Sequence, residues 1–133
     1  PAIDWSGAPS ASAGNGFVVQ ASDVLNQKPG LLLYGITGRQ SMPFQGGTLC
    51  VGSPVRRTPG GSSGGSGLPA QDCSGVLAID FNAFSAGGLG GTPLPELRTP
   101  GTRVDAQWWG RDPGFPTPLN TTLSNALEFV MAP

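Results

Sequence analysis

Thr102-Arg103-Val104-Asp105-Ala106-Gln107-Trp108-Trp109 follows the turn pair Pro100-Gly101 and alternates apolar with polar side chains. Val104, Ala106 and Trp108 fall on one side of an extended chain; Arg103, Asp105 and Gln107 fall on the other. That period of two predicts a β-strand with one buried and one solvated face. Trp108 and Trp109 are neighbours and must point to opposite faces. One belongs to the core, and the other belongs on the outer face, where Arg111 is placed to stack on it.

Outward from this strand, the chain repeats the theme of short apolar runs between turn residues. Phe17-Val18-Val19-Gln20 follows Gly14-Asn15-Gly16. Leu31-Leu32-Leu33-Tyr34 lies between Pro29-Gly30 and Gly35, and Thr48-Leu49-Cys50-Val51 between Gly46-Gly47 and Gly52. Val76 to Phe81 follows Ser74-Gly75, and Leu127 to Met131 closes the series. Six strand-sized runs with turn signals between them predict an all-β antiparallel sandwich, jelly-roll or immunoglobulin-like, with long Gly/Pro-rich loops. Helical turns are expected only within 22–27 and 121–128, with a turn at Thr122 to Asn125 before the last strand. Residues 14–133 read as one domain. Residues 1–13 read as an N-terminal arm whose Ile3 and Trp5 dock on their own domain or add to the sheet edge of a neighbour.

Composition narrows the class. The 133 residues include 22 glycines and 14 prolines, a share at which disorder has to be considered. Against disorder stand the 38% hydrophobic residues, gathered in compact runs. Charged residues are only 11%, with a formal net charge of −1, so the basic surface used for nucleic acid is not expected. No apolar run approaches the roughly 20 residues of a membrane span. The start at Pro1-Ala2-Ile3 is that of a processed product or an excised domain.

Cys50 and Cys73 are too far apart in sequence for a CxxC motif, and with no histidine a Cys/His metal site is excluded. The two readings are a pair of unrelated thiols or a mutual disulfide. The disulfide is the expectation, because the chain otherwise looks secreted. It would close roughly 24 residues, including the Gly/Ser stretch 59–67, with about 3 kcal/mol of chain-entropy stabilisation.

Several stretches taken together suggest a family. They are Leu33-Tyr34-Gly35, Gly47-Thr48-Leu49-Cys50-Val51, Asp72-Cys73-Ser74-Gly75 with Asp80-Phe81-Asn82, Gln107-Trp108-Trp109-Gly110-Arg111-Asp112-Pro113, and Leu123 to Phe129. From about Phe17 to Pro133 the chain resembles the β-rich module found near the C-terminus of large secreted proteins of planctomycete-type bacteria. The recurring core of that module is Gln-(Phe/Trp)-Trp-x-Arg-Asp-Pro. Members often end in Cys-Pro, whereas this chain ends in Ala132-Pro133, so any cysteine pairing through that position is absent. The resemblance implies a bacterial, extracellular setting and leaves activity open.

Little in the chain points to catalysis. Without histidine the commonest general base and the usual triads are missing. The eight carboxylates (Asp4, Asp23, Asp72, Asp80, Asp105, Asp112, Glu96 and Glu128) form no motif, and a hydrolase would need two of them to converge in a cleft. Gly87-Gly88-Leu89-Gly90-Gly91 lacks the lysine and helix of a phosphate loop. No cofactor and no metal is expected. The expectation is a non-catalytic extracellular structural module, self-associating in a cell-surface appendage or filament, with homo-oligomer or other surface-protein partners. The alternative is a carbohydrate-binding module using an exposed tryptophan. The cluster to watch is Gln107, Trp108, Trp109, Arg111 and Asp112. There Arg111 and Asp112 are expected to pair or to cap the turn before Pro113.

Overall fold

The computed structural model describes all residues, 1–133. Ten strands appear in chain order: β1 (Ala2–Gly7), β2 (Phe17–Val24), β3 (Pro29–Gly35), β4 (Arg39–Phe44), β5 (Gly47–Val51), β6 (Arg56–Arg57), β7 (Gly61–Ser62), β8 (Gly75–Asp80), β9 (Arg103–Arg111) and β10 (Thr121–Val130). A short helix α1 (Phe81–Ser85) follows β8, and a 3-10 turn occupies Pro95–Arg98. The first sheet has the order β1-β2-β8. The second has the order β10-β9-β3-β6, with β7 pairing the start of β3. Strands β4 and β5 form a separate hairpin. Every strand pairing is antiparallel, giving the all-β sandwich that the alternating runs predict.

Alternate residues of the two sheets meet in the core. Phe17, Val19 and Ala21 of β2 and Leu77 and Ile79 of β8 face Leu32 and Tyr34 of β3 and Val104, Ala106 and Trp108 of β9. At one end Phe17, Tyr34, Phe81, Phe84 and Phe129 pack mainly edge to face, with centroids 4.9–5.7 Å apart. Such pairs are worth about 0.5–1.5 kcal/mol each beyond their buried area.

Helix α1 departs from the sequence reading, which ran the strand on through Phe81. Asp80 ends the strand because its carboxylate accepts the Ala83 N–H at 3.1 Å, an N-cap, and the Gly16 N–H at 2.8 Å. Inside the helix, buried Asn82 accepts the Ser10 N–H and donates to the carbonyls of Ala8 and Asn15. One short helix thereby fixes the crossing from β1 to β2.

The expected solvated face of β9 is the larger correction. Asp105 is 3% and Gln107 1% exposed, because the β4–β5 hairpin lies over them with Leu49 and Val51 buried beneath it. The hairpin turns through Gln45 and Gly46, both at positive φ (48° and 86°), the two-residue turn whose twist suits antiparallel strands. The turn expected at Thr122–Asn125 is instead a β-bulge within β10, between Leu123 and Ala126. There the Ser124 hydroxyl accepts the Trp108 N–H at 3.0 Å.

The expected arm is the first strand of the first sheet. β1 pairs with β2 of its own chain from Ala2↔Ser22 to Gly7↔Phe17, and Ser10 then bridges to Ala132. On this side β1 runs beside β10, with the Ile3 N–H donated to Asn125 Oδ1 at 2.8 Å.

The Gly/Ser stretch 59–67 is held without a covalent bridge. Ser63 takes the Lys28 N–H on its hydroxyl, donates that hydroxyl to Leu25 O, and accepts the Val76 N–H on its carbonyl. Asn26 donates to the carbonyls of Ser66 and Ala70 and accepts the Asp72 N–H.

Candidate functional site

Strand β9 distributes its cluster over both faces. Trp108 points inward and is 4% exposed; Trp109 points outward between its cross-strand neighbours Leu31 and Leu123. Its indole N–H is donated to Gln45 Oε1 at 3.1 Å, and the same oxygen accepts the Thr121 hydroxyl at 2.7 Å. The Arg111 guanidinium lies over the Trp109 ring, 5.3 Å from its centroid, as the alternation suggested. Arg111 and Asp112 form no ion pair. The chain's one ion pair is Arg39–Glu128, and Asp112 instead accepts the Gly114 N–H at 3.4 Å within its own turn.

Two clefts flank Gln45. One, of about 370 Å³, runs between the hairpin tip and the loop carrying Asp112, Phe115 and Leu119. The other, of about 190 Å³, is bounded by Leu31, Leu33, Phe44, Arg57 and Trp109. Neither Gln45 nor Phe115 stood out in the sequence. The Gln45-Gly46 pair preceding a strand was the one available signal for the hairpin tip.

Gln107 is an anchor in the fold. Its Oε1 accepts the Cys50 N–H at 3.0 Å, and its Nε2 donates to Thr48 O at 3.0 Å and Ser124 O at 2.6 Å. It joins the hairpin, β9 and the β10 bulge.

Beside Gln107, Asp105 stands opposite Glu128 of β10, next to a groove of about 390 Å³ lined in part by Arg39, Gln40 and Cys50. Both Glu128 oxygens are held by Arg39, at 2.8 and 2.9 Å. The Arg39 guanidinium accordingly holds the Glu128 carboxyl down to about 2. Burial, and then the adjacent Glu128 carboxylate, pushes Asp105 up. Its Oδ2 is buried without a hydrogen-bond partner. Two carboxylates do converge here. One is held at both oxygens by arginine and the other lies under the hairpin, so the group fastens β4 to β10.

The cysteines do not form the expected bridge. Cys50 sits in β5 with its N–H on Gln107, while Cys73 is exposed in the loop before β8; the two are not near each other and both thiols are free. Cys50 belongs to the outer hairpin, while Cys73 stays with the first sheet.

Ile3 packs half-buried against the core, and Trp5 is 53% exposed at the sandwich rim. On the opposite rim, β8 is the edge of its sheet, and a slot of about 380 Å³ separates it from Pro59–Ser62. Leu77, Ile79 and Leu89 line the slot together with Trp108, whose indole N–H is buried and has no hydrogen-bond partner. No helix is long and apolar enough to cross a membrane. No protein-family model, curated protein or solved structure matches the chain.

Proposed function

We propose that the chain is a non-catalytic extracellular structural module that associates with further copies, as a subunit of a bacterial cell-surface appendage or filament. The observation that carries this reading is the asymmetry of the two rims. On the β1/β10 rim the Ile3 N–H is taken by Asn125 and Ser10 is bridged to Ala132, whereas the β8 rim is left open along the slot. An unpaired strand edge beside apolar side chains is a template for another chain. With both thiols free, the redox argument for secretion falls away. The extracellular part of the reading rests on the resemblance through Gln107–Pro113. Light scattering on the purified chain over a wide concentration range tests the proposal. Growing mass, with ordered particles under the electron microscope, is expected; a monomer throughout refutes it.

A second reading, glycan binding, is favoured by the aromatic and polar lining around Gln45. Phe115 is 58% exposed there, and the Gln45 amide NH₂ has no protein partner. Against it, Arg111 covers one face of Trp109. A polysaccharide panel followed by tryptophan fluorescence supports this reading if Phe115→Ala abolishes a response, and removes it if no response is seen.

A further inference from the structure

Resting on the assembly reading, we propose that the slot beside β8 receives strand β1 of a second copy, joining molecules head to tail. The inference begins with hydrogen-bond directions. In an antiparallel ladder the N–H and C=O of one residue point to the same side, and successive residues alternate. Val76 gives its N–H to Ser63, away from β2, at 2.8 Å. Ala78, two residues on in the same regular strand, turns its N–H and C=O the same way, into the slot, where no strand of this chain lies. The Trp108 ring lines the slot's inner wall, and its indole N–H, enclosed behind that wall, has no partner. The slot therefore presents the N–H and C=O of Ala78, unpaired with any strand. An unpaired strand edge of this kind is a template for a further strand.

The far rim has the complementary character. The Ile3 and Trp5 N–H groups both point away from β2, and both are already taken, by Asn125 Oδ1 and Asp4 Oδ1, each at 2.8 Å. What the outer edge of β1 still offers is the carbonyls of Ile3 and Trp5, which are acceptors. A donor-poor, acceptor-bearing edge cannot readily pair with itself, yet its carbonyls match the N–H that Ala78 presents. The side chains agree. Trp5 lies opposite Val19 and so leans toward the inner face, 53% exposed, at the height where an adjoining copy presents Leu77, Ile79 and Leu89. Glycines 60 and 61 form the facing wall and leave room for an aromatic ring, with open space where a Cβ of Gly61 would stand.

Because β1 and β8 are both antiparallel to β2, a copy related by translation along the sheet brings its β1 parallel to the receiving β8. The two surfaces differ, so the contact is heterologous. Repeated, it gives an open chain rather than a closed dimer.

The test uses the full chain and three perturbations. Ala78→Pro removes the slot-facing N–H without touching a bond to β2, a position where an edge strand tolerates proline. Trp5→Ala removes the ring from the opposite rim. A synthetic peptide of residues 1–9 serves as a competitor. Each is expected to shift the light-scattering mass to that of the monomer, with the circular dichroism of both variants unchanged. If the wild-type chain assembles and Trp5→Ala and the peptide leave its mass unaltered, the slot proposal is overturned while assembly stands, even should Ala78→Pro fail to fold. A wild-type chain that never assembles refutes the assembly reading and this inference with it. Assembly blocked by Ala78→Pro but not by Trp5→Ala or the peptide overturns β1 as the occupant.

Discussion

Gln107→Ala is expected to release the hairpin from the sandwich. The side chain makes three hydrogen bonds and is 1% exposed, so all three are made away from solvent. At about 1 kcal/mol each, their loss alone costs about 3 kcal/mol. The Cys50 N–H and the carbonyls of Thr48 and Ser124 remain behind. If the hairpin stays seated they are stranded, which raises the cost above that figure. If it lifts, water reaches them and the cost becomes the lost burial of Leu49 and Val51. Either route predicts a loss of about 3–5 kcal/mol, a large part of the roughly 5–15 kcal/mol that holds a typical domain. The corresponding fall in melting midpoint is about 10–20 °C. Urea unfolding followed by circular dichroism gives the global number. Thiol modification gives the local one: in a Cys73→Ser background, the Gln107→Ala exchange should speed the labelling of Cys50. A change below about 1 kcal/mol, with Cys50 labelling unaltered, would refute the view that Gln107 anchors the hairpin.

The carboxylates opposite each other predict a pH profile with two limbs. Asp105 is pushed up in the folded chain, so folding favours its protonated form, and stability falls as pH rises through its folded value. Glu128 is held down to about 2, so its contribution is present above the ordinary carboxylate range and is lost as pH falls toward 2. Asp105→Asn should flatten the higher limb and leave the acid limb in place; an unchanged higher limb in denaturant titrations against pH would count against a shut-in Asp105. Free thiols make a simpler forecast: a reductant leaves the melting temperature unchanged, and both cysteines react with a thiol reagent, Cys73 faster than Cys50. A melting temperature that drops on reduction would restore the disulfide.

The inward face of the sandwich was legible because burial writes itself as alternation. Val104, Ala106 and Trp108 stand where the pattern put them. The outer face was not legible. Asp105 and Gln107 are polar residues of the kind that usually meet water, and what buries them is a hairpin whose first strand, Arg39-Gln40-Ser41-Met42-Pro43-Phe44, shows no apolar period. Helix α1 was hidden because the apolar run crosses Asp80 without a break; only the capping bond from Ala83 separates strand from helix. The cysteine pairing was inferred from number and compartment, which carry no information about which layer each thiol occupies. Of the candidate residues, the stacking of Arg111 on an outward Trp109 followed directly from strand geometry. The slot beside β8 depends on which strand neighbours are missing, a property of topology that no local stretch records.

The Trp108 indole N–H is the most direct witness to the proposed assembly. It has no acceptor within its own chain, and the ring that carries it lines the slot that a neighbouring strand would fill. In a ¹⁵N-labelled chain, its indole resonance, assigned by Trp108→Phe, can be followed as the peptide of residues 1–9 is added. The account predicts that the Trp108 resonance moves as a strand packs against its ring, with the Trp109 resonance, already bonded to Gln45, left in place. A Trp108 resonance that does not move at saturating peptide would contradict it.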